Sequence, residues 1–223
     1  MLRRLRPTPR RLAVLVAATV GVGAGVGYAA SLTVNSWHLW AGSQPLTKAQ
    51  CTLTGTTSTT NTYVTQFSAN NNYSGSTTML VRSNSSSQDW SFVRFDLSKC
   101  PIAIPTSGGA DTATLTLFIT STPSSRTLSV TPVLTTWAST LTWNQAQLLT
   151  YGAQTTTMAT GASGNTAKSA TVTVDVDSLI KSPNSSFGWR ISDSGTGNAT
   201  TTFATSADTT ASHRPQLVIN YEK

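Results

Sequence analysis

The sequence predicts an all-β protein, an antiparallel β-sandwich of jelly-roll type, preceded by an N-terminal signal peptide or signal-anchor helix. Three observations predict it. Ser and Thr supply roughly 30% of the 223 residues, far above ordinary usage, and both are poor helix-interior residues. Short runs that alternate apolar and polar residues recur along the chain, with Ser/Gly/Asn/Pro clusters between them. No helical period lasts beyond a short turn, the best candidate being Val176 to Lys181. Charged residues are only 10% and hydrophobic ones 38%, which excludes a charge-driven disordered chain.

The N-terminus reads as an export signal. Arg3, Arg4, Arg6, Arg10 and Arg11 form a positive region, and Leu12 to Ala30 carry no charge. Small residues then close the run at Ala29-Ala30-Ser31. That order is the layout of a secretory signal peptide, with cleavage after Ala29 or Ser31. The alternative is an uncleaved anchor, since an apolar run of about 19 residues can span a bilayer. The Gly-rich second half from Gly21 to Gly27 is weakly apolar and favours cleavage. The Arg10-Arg11 pair fits a twin-arginine signal poorly, and no Cys near the end of the run points to a lipid anchor. Either way the remainder is expected outside the cell, secreted or held by the N-terminal segment as its only membrane contact. The net charge of +7 belongs mainly to this leader: removing its five Arg leaves ten basic against eight acidic residues. A nucleic-acid footprint is therefore not expected.

Residues 1–31 are thus leader, 32–60 a transition segment, and 61–223 the sandwich domain. Trp37, His38, Leu39 and Trp40 sit in the transition, as an arm or a spacer. Thr52 to Thr60 is nearly all Thr, Gly and Ser and reads as linker or edge strand. Tyr63-Val64 opens the first clear strand, and Met79-Leu80-Val81 is the second. In Phe92 to Leu97, Val93, Phe95 and Leu97 point one way while Phe92, Arg94 and Asp96 point the other. Ala113 to Ile119 alternates cleanly. Leu128 to Leu134 follows, with Pro132 demoting it to an edge or bulge. Thr171 to Val176, Phe187 to Ile191, Thr201 to Ala204 and Gln216 to Tyr221 complete the set. Cys51 and Cys100 are the only cysteines. An oxidising compartment favours a disulfide between them, the alternative being two separate buried thiols. Neither His38 nor His213 has metal-site spacing to them.

Several of these runs carry a resemblance. Asn61-Thr62-Tyr63-Val64, Asn72-Tyr73 with Gly75, and Phe92-Val93-Arg94-Phe95-Asp96-Leu97-Ser98 resemble the successive signatures of the DNRLRE-type domain, grouped with carbohydrate-binding module family 96. Ala113 to Leu117 resembles its next strand. Trp137 and Leu141-Thr142-Trp143-Asn144 match its paired tryptophans. Val174-Asp175-Val176, Asn184 with Phe187-Gly188, and Arg214-Pro215 to Tyr221 keep the same order. The resemblance covers about residues 61–221. It implies an exported β-sandwich that accompanies polysaccharide-active enzymes or sits on cell surfaces. The chain departs from the pattern at Ala138-Ser139-Thr140, where the family usually carries an acid, and at Ser206-Ala207-Asp208, which stands in place of its Ser-Arg-Glu-like segment.

The residues supply little for catalysis. Eight acids and two histidines are a thin stock. Asp175 and Asp177 read as i,i+2 neighbours on one strand face, the wrong arrangement for flanking a glycosidic bond. Their expected role is solvated or turn-stabilising. The alternative is a structural Ca²⁺ held with help from Asp193 or Asp208. No Gly-x-Ser-x-Gly elbow occurs, and His213 reads as a surface residue. No P-loop or dinucleotide fingerprint appears. The chain is read as a non-enzyme.

Sugar binding asks for less: an aromatic ring covers the apolar C–H face of a sugar, and polar side chains bond its hydroxyls. The candidates are Tyr73 in its turn, Trp90 after Asp89, and Trp189 beside Arg190. Arg82 and Arg94 could meet a uronic-acid carboxylate through a bidentate guanidinium. Each has a bland counterpart: Trp90 and Trp189 as core, Arg94 as a structural partner of Asp96 or another acid, Arg82 as plain surface. Trp137 and Trp143 read as core packing. The function expected is a secreted, non-catalytic module that binds a polysaccharide or cell-wall glycan. The alternative is a structural or adhesive surface module that binds no sugar.

Overall fold

The structure, a computed structural model, describes residues 47–84, 87–182, 187–195 and 197–223. The leader expected over 1–31, the segment Trp37–Trp40 and Asn184 lie outside the described residues. Among those described run eleven strands, every paired one antiparallel: β1 (Lys48–Thr54), β2 (Thr59–Thr65), β3 (Thr78–Ser83), β4 (Asp89–Phe95), β5 (Thr112–Ser121), β6 (Thr127–Pro132), β7 (Thr156–Ala159), β8 (Thr166–Thr171), β9 (Trp189–Ser192), β10 (Ala199–Ala204) and β11 (Gln216–Glu222). Two short helices interrupt them, α1 (Trp143–Ala146) and α2 (Thr173–Lys181).

The ladders run β1-β11-β5-β10-β3-β4-β9-β6-β7, with β2 also on β4 and β8 also on β5. Between the β1-to-β3 half and the β4-to-β7 half, β3 and β4 share one aligned residue pair, Arg82 with Asp89. The network therefore turns a corner there, and its two halves face each other. The burial shows why they must. On one half Leu115, Leu117, Ile119, Phe203 and Ile219 are fully buried; on the other Val93, Leu128, Val130 and Ile191 are too, and all belong to one cluster. Neither sheet can hide its apolar face alone, so each covers the other.

A second, smaller core lies on the outer side of β2 and β4. Val64 and Phe92 meet Val133, Trp137, Leu141, Trp143 and Ala146 from the segment that follows β6. This segment is held by specific bonds. Thr142 caps α1 in a reciprocal arrangement with Gln145. The Trp137 indole donates to the Phe187 carbonyl at 2.6 Å. Gly188, at φ +88°, runs so close to β4 that a side chain there would collide with the Val93 carbonyl oxygen. Trp137 and Trp143 are core residues, as read from the sequence.

Four details differ from the sequence reading. Residues 48–54 and 59–60, read as transition segment, form β1 and the start of β2, so the boundary at 61 falls inside a strand. Their periodic signal is hidden by Thr, yet Cys51 and Leu53 are buried while Thr52 and Thr54 face water. The strand expected over Thr171–Val176 ends at Thr171, and Asp175 and Asp177 lie on α2. Val172, Val176 and Ile180 recur every four residues and bury one helical face. Asp175 in the first turn and Lys181 in the last suit the helix dipole. Pro132 does not mark an edge: β6 pairs with β7 on one side and β9 on the other, and the proline ends the strand. Finally, β7 and β8 were not foreseen, because Met158 and Ala170 are their only buried apolar residues.

Cys51 and Cys100 form a disulfide across a sequence separation of 49. It ties β1 to the turn after β4. Replacing both (Cys51→Ser with Cys100→Ser) is expected to destabilise the domain by about 4 kcal/mol, from the freed loop of the unfolded chain. Urea denaturation of the two forms measures this; an unchanged midpoint would contradict it.

Candidate functional site

The six candidate sugar contacts fall into three pairs at three separate places. Each place is set by β4 and the strands beside it.

Arg94 and Trp189 line a cavity of about 670 Å³ at the end of the sandwich where β4 stops and α2 begins. Its inner wall is apolar and made of core side chains, Phe95, Ile180, Trp189 and Leu217. Its rim is polar, with Thr56, Thr60, Arg94, Asp96 and Ser98. Trp189 is only 3% exposed, and its indole donates to Asp175 at 2.6 Å. It therefore floors the cavity rather than offering a free ring. Asp175 also accepts from the Thr155 hydroxyl at 2.8 Å. Arg94 is partly exposed and lies 5.2 Å from the centre of the Trp137 ring. Among the described residues it makes no ion pair, so the pairing with Asp96 expected from sequence is not a direct contact. Asp96 is exposed and caps the turn after β4 by accepting from the Ser98 amide at 3.0 Å. The Ser98 side chain first, then that amide, with Lys99 and Arg94 nearby, hold its carboxyl below the ordinary carboxylate range.

Tyr73 and Arg82 line a shallower groove of about 370 Å³ near the β3–β4 corner. Tyr73 stacks on Tyr63 with ring centres 4.3 Å apart and planes 24° from parallel. Burial, then the Tyr73 and Asp89 neighbours, push the Tyr63 phenol upward, so it stays a proton donor. Arg82 is not a plain surface residue. Its Nη2 donates to Ser87 Oγ at 2.7 Å and to Asp89 Oδ1 at 3.2 Å. Its Nε lies 3.1 Å from Asp89 Oδ2, close enough for attraction but too poorly aligned for a hydrogen bond. Phe67 also lines this groove and is 84% exposed.

Trp90 and Arg190 meet on the outer core. The Arg190 guanidinium lies between two rings, 4.5 Å from Trp90 and 4.1 Å from Tyr151. Trp90 in turn packs on Trp143 at 4.4 Å. Burial lowers the proton affinity of Arg190, and Tyr151 partly restores it. Cation–π attraction thus rivets the covering segment to β9. Both rings are occupied by protein.

The four aspartates weighed for calcium are dispersed. Asp175 serves Trp189 and Thr155. Asp177 pairs with Lys181 at 2.7 Å. Asp193 is almost buried and forms a two-pronged bond with Arg126, at 2.7 and 2.9 Å. Asp208 accepts from the Thr210 amide and lies 3.7 Å from His213. Among the described residues no group of three or more His, Cys, Asp or Glu gathers as a metal site. His213 also stacks on Phe118 at 3.7 Å.

Sequence reasoning missed Phe67, Tyr63 and Tyr151 as parts of these places, and Arg126 as the partner of Asp193. Phe67 carried one available signal: a lone large apolar residue in a polar Gln/Ser/Asn stretch. Among family models, the one described as Carbohydrate-binding module family 96 matches residues 52–221, more than half of the chain. No curated protein matches the chain. No helix among the described residues is long and apolar enough to cross a membrane.

The Arg126–Asp193 pair sets a test of this end of the sandwich. Arg126→Met leaves a buried carboxylate unpaired and is expected to cost about 3 kcal/mol or more. The double change Arg126→Met with Asp193→Leu should recover much of that loss in chemical denaturation. Equal losses for single and double variants would show that the pair is not coupled.

Proposed function

Because the chain belongs to carbohydrate-binding module family 96, we propose that it is an exported, non-catalytic module that holds a polysaccharide in the end cavity, with Arg94 meeting an acidic sugar. The observation that carries this reading is the cavity itself. An arginine with no ion pair among the described residues lines, together with Phe95, Trp189 and Leu217, a space of about 670 Å³. That volume is within the usual range for a small-ligand site of roughly 300–1,000 Å³. The apolar floor suits the C–H face of a sugar ring, and the rim hydroxyls suit its hydroxyls. The Trp137 ring beneath Arg94 supports its guanidinium without neutralising it. A uronic-acid carboxylate is the chemistry such a guanidinium prefers.

The two acids in the cavity wall favour holding over hydrolysis. Asp175 is buried and committed to two donors. Asp96 is held ionised by Ser98 and is a poor source of a proton for a leaving oxygen. The arginine-rich leader and the disulfide support an extracellular place of action.

Affinity electrophoresis against a polyuronate and a neutral glucan tests the reading. The folded chain should be retarded by the polyuronate, and Arg94→Gln should weaken that retention about tenfold or more. Retention that ignores Arg94→Gln, or none at all, would count against it.

A further inference from the structure

The groove at the other end of β4 has no place in that reading, yet it carries the most exposed large apolar side chain among the described residues. Phe67 is 84% exposed, and a ring that bare is held in water at a cost. It is also held rigidly. The Phe67 amide donates to the Thr65 hydroxyl, and the Gln66 amide donates to the Gln88 carbonyl at 2.9 Å. Just beyond it, Asn144 of α1 donates through its amide to the Ala69 carbonyl and through its side chain to Asn70 Oδ1 at 2.7 Å. The turn that presents Phe67 is thus fastened to β4 on one side and to α1 on the other. Little order remains to be imposed on binding.

The surroundings of Phe67 define what it would hold. The stacked pair Tyr63–Tyr73 lines the same groove and brings two phenol groups, with Thr65 and Thr200 adding hydroxyls. The one cation there, Arg82, is already matched by Asp89 and Ser87. A ligand anion would have to displace a nearly buried carboxylate, so the groove does not select for charge. We infer that the Phe67–Tyr73 groove is a second carbohydrate site, one that takes an uncharged pyranose ring by its C–H face. The inference rests on the chain being a carbohydrate-binding module, but not on the end cavity. The two sites lie at opposite ends of the β2–β4 ladder. The five steps along the strand from Thr60 to Thr65 put about 17 Å between them.

The experiment compares wild type, Phe67→Ala, Phe67→Trp and Arg94→Gln, each checked for an unchanged melting temperature, by affinity electrophoresis in a neutral β-glucan and in a polyuronate. Phe67 packs on nothing that folding requires, so its truncation should leave stability intact. The expected result is that Phe67→Ala loses about tenfold in affinity for the neutral glucan. Phe67→Trp should keep or improve it, and Arg94→Gln should leave it unchanged. Neutral-glucan binding that survives Phe67→Ala overturns the second site alone. So does a wild-type chain that binds only the polyuronate. Neutral binding that depends on Phe67, beside no polyuronate binding, upholds this site and removes the cavity reading. Binding to neither polymer overturns both.

Discussion

The constraint on which this molecule depends is that β4 is buried on both faces. Val93 and Phe95 point into the space between the sheets, while Phe92 points outward and is just as inaccessible. A strand at the surface of a sandwich normally keeps one wet face. Here the wet face has been closed by the segment after β6, with Trp137, Leu141 and Trp143 lying over Phe92 and Val64. Everything near the candidate sites follows from that cover. It puts the Trp137 ring under Arg94. It puts Tyr151 over Arg190. Through Asn144 it fixes the loop beside Phe67.

The same strand also places the charges. Asp89 begins β4 on its inner face, opposite Arg82 of β3, where the two sheets join. Burying a carboxylate at a corner demands a partner, and the guanidinium across the ladder is that partner. Asp193, beyond β9, repeats the solution with Arg126. The buried acids Asp89 and Asp193 therefore sit where strands end, each answered by an arginine. Only where a cation is left without such an answer, as at Arg94, does the surface have charge to offer a ligand.

How far the sequence could be read divides along physical lines. The strands with several bulky inward residues were legible, because period-two alternation of Leu, Ile, Val and Phe is an unambiguous signal; β4, β5 and β11 are the cases. The family-like stretches added the paired tryptophans, which are core in the structure. The disulfide was legible from two lone cysteines behind a leader read as an export signal. What failed was the reading of Thr-rich segments. In β1 and β8, Thr occupies exposed positions and the buried ones are few, so the signal is weak: Thr52 to Thr60 read as either linker or edge strand, and β1 is the edge strand, while β8 went unread. In α2, Thr-Val-Asp-Val-Asp alternates like a strand, so only its second half, Val176 to Lys181, read as helical, although Val172, Val176 and Ile180 recur every four residues. The site candidates were legible as residue types but not as groups. Arg82 and Asp89 are seven residues apart and meet through a corner, whereas Arg190 and Tyr151 are brought together by a cover that no local pattern announces. Phe67 lacked any periodic neighbour.

The position of Cys51 has a mechanical consequence. Thr47 and Lys223 exchange both backbone hydrogen bonds, so the two chain ends of the sandwich lie side by side, and β1 runs antiparallel to β11 from there. Tension that drew those ends apart would peel this ladder open like a zip, one rung at a time, the weakest loading a sheet can suffer. After Lys48, Ala49 and Gln50 the tear reaches Cys51, and the covalent link to Cys100 carries the load past the remaining rungs into the middle of the fold. Under tension the bond acts as a rip-stop on the β1 side: it keeps the rest of that strand fastened beside β4, while β11 is held by its ladders to β1 and β5.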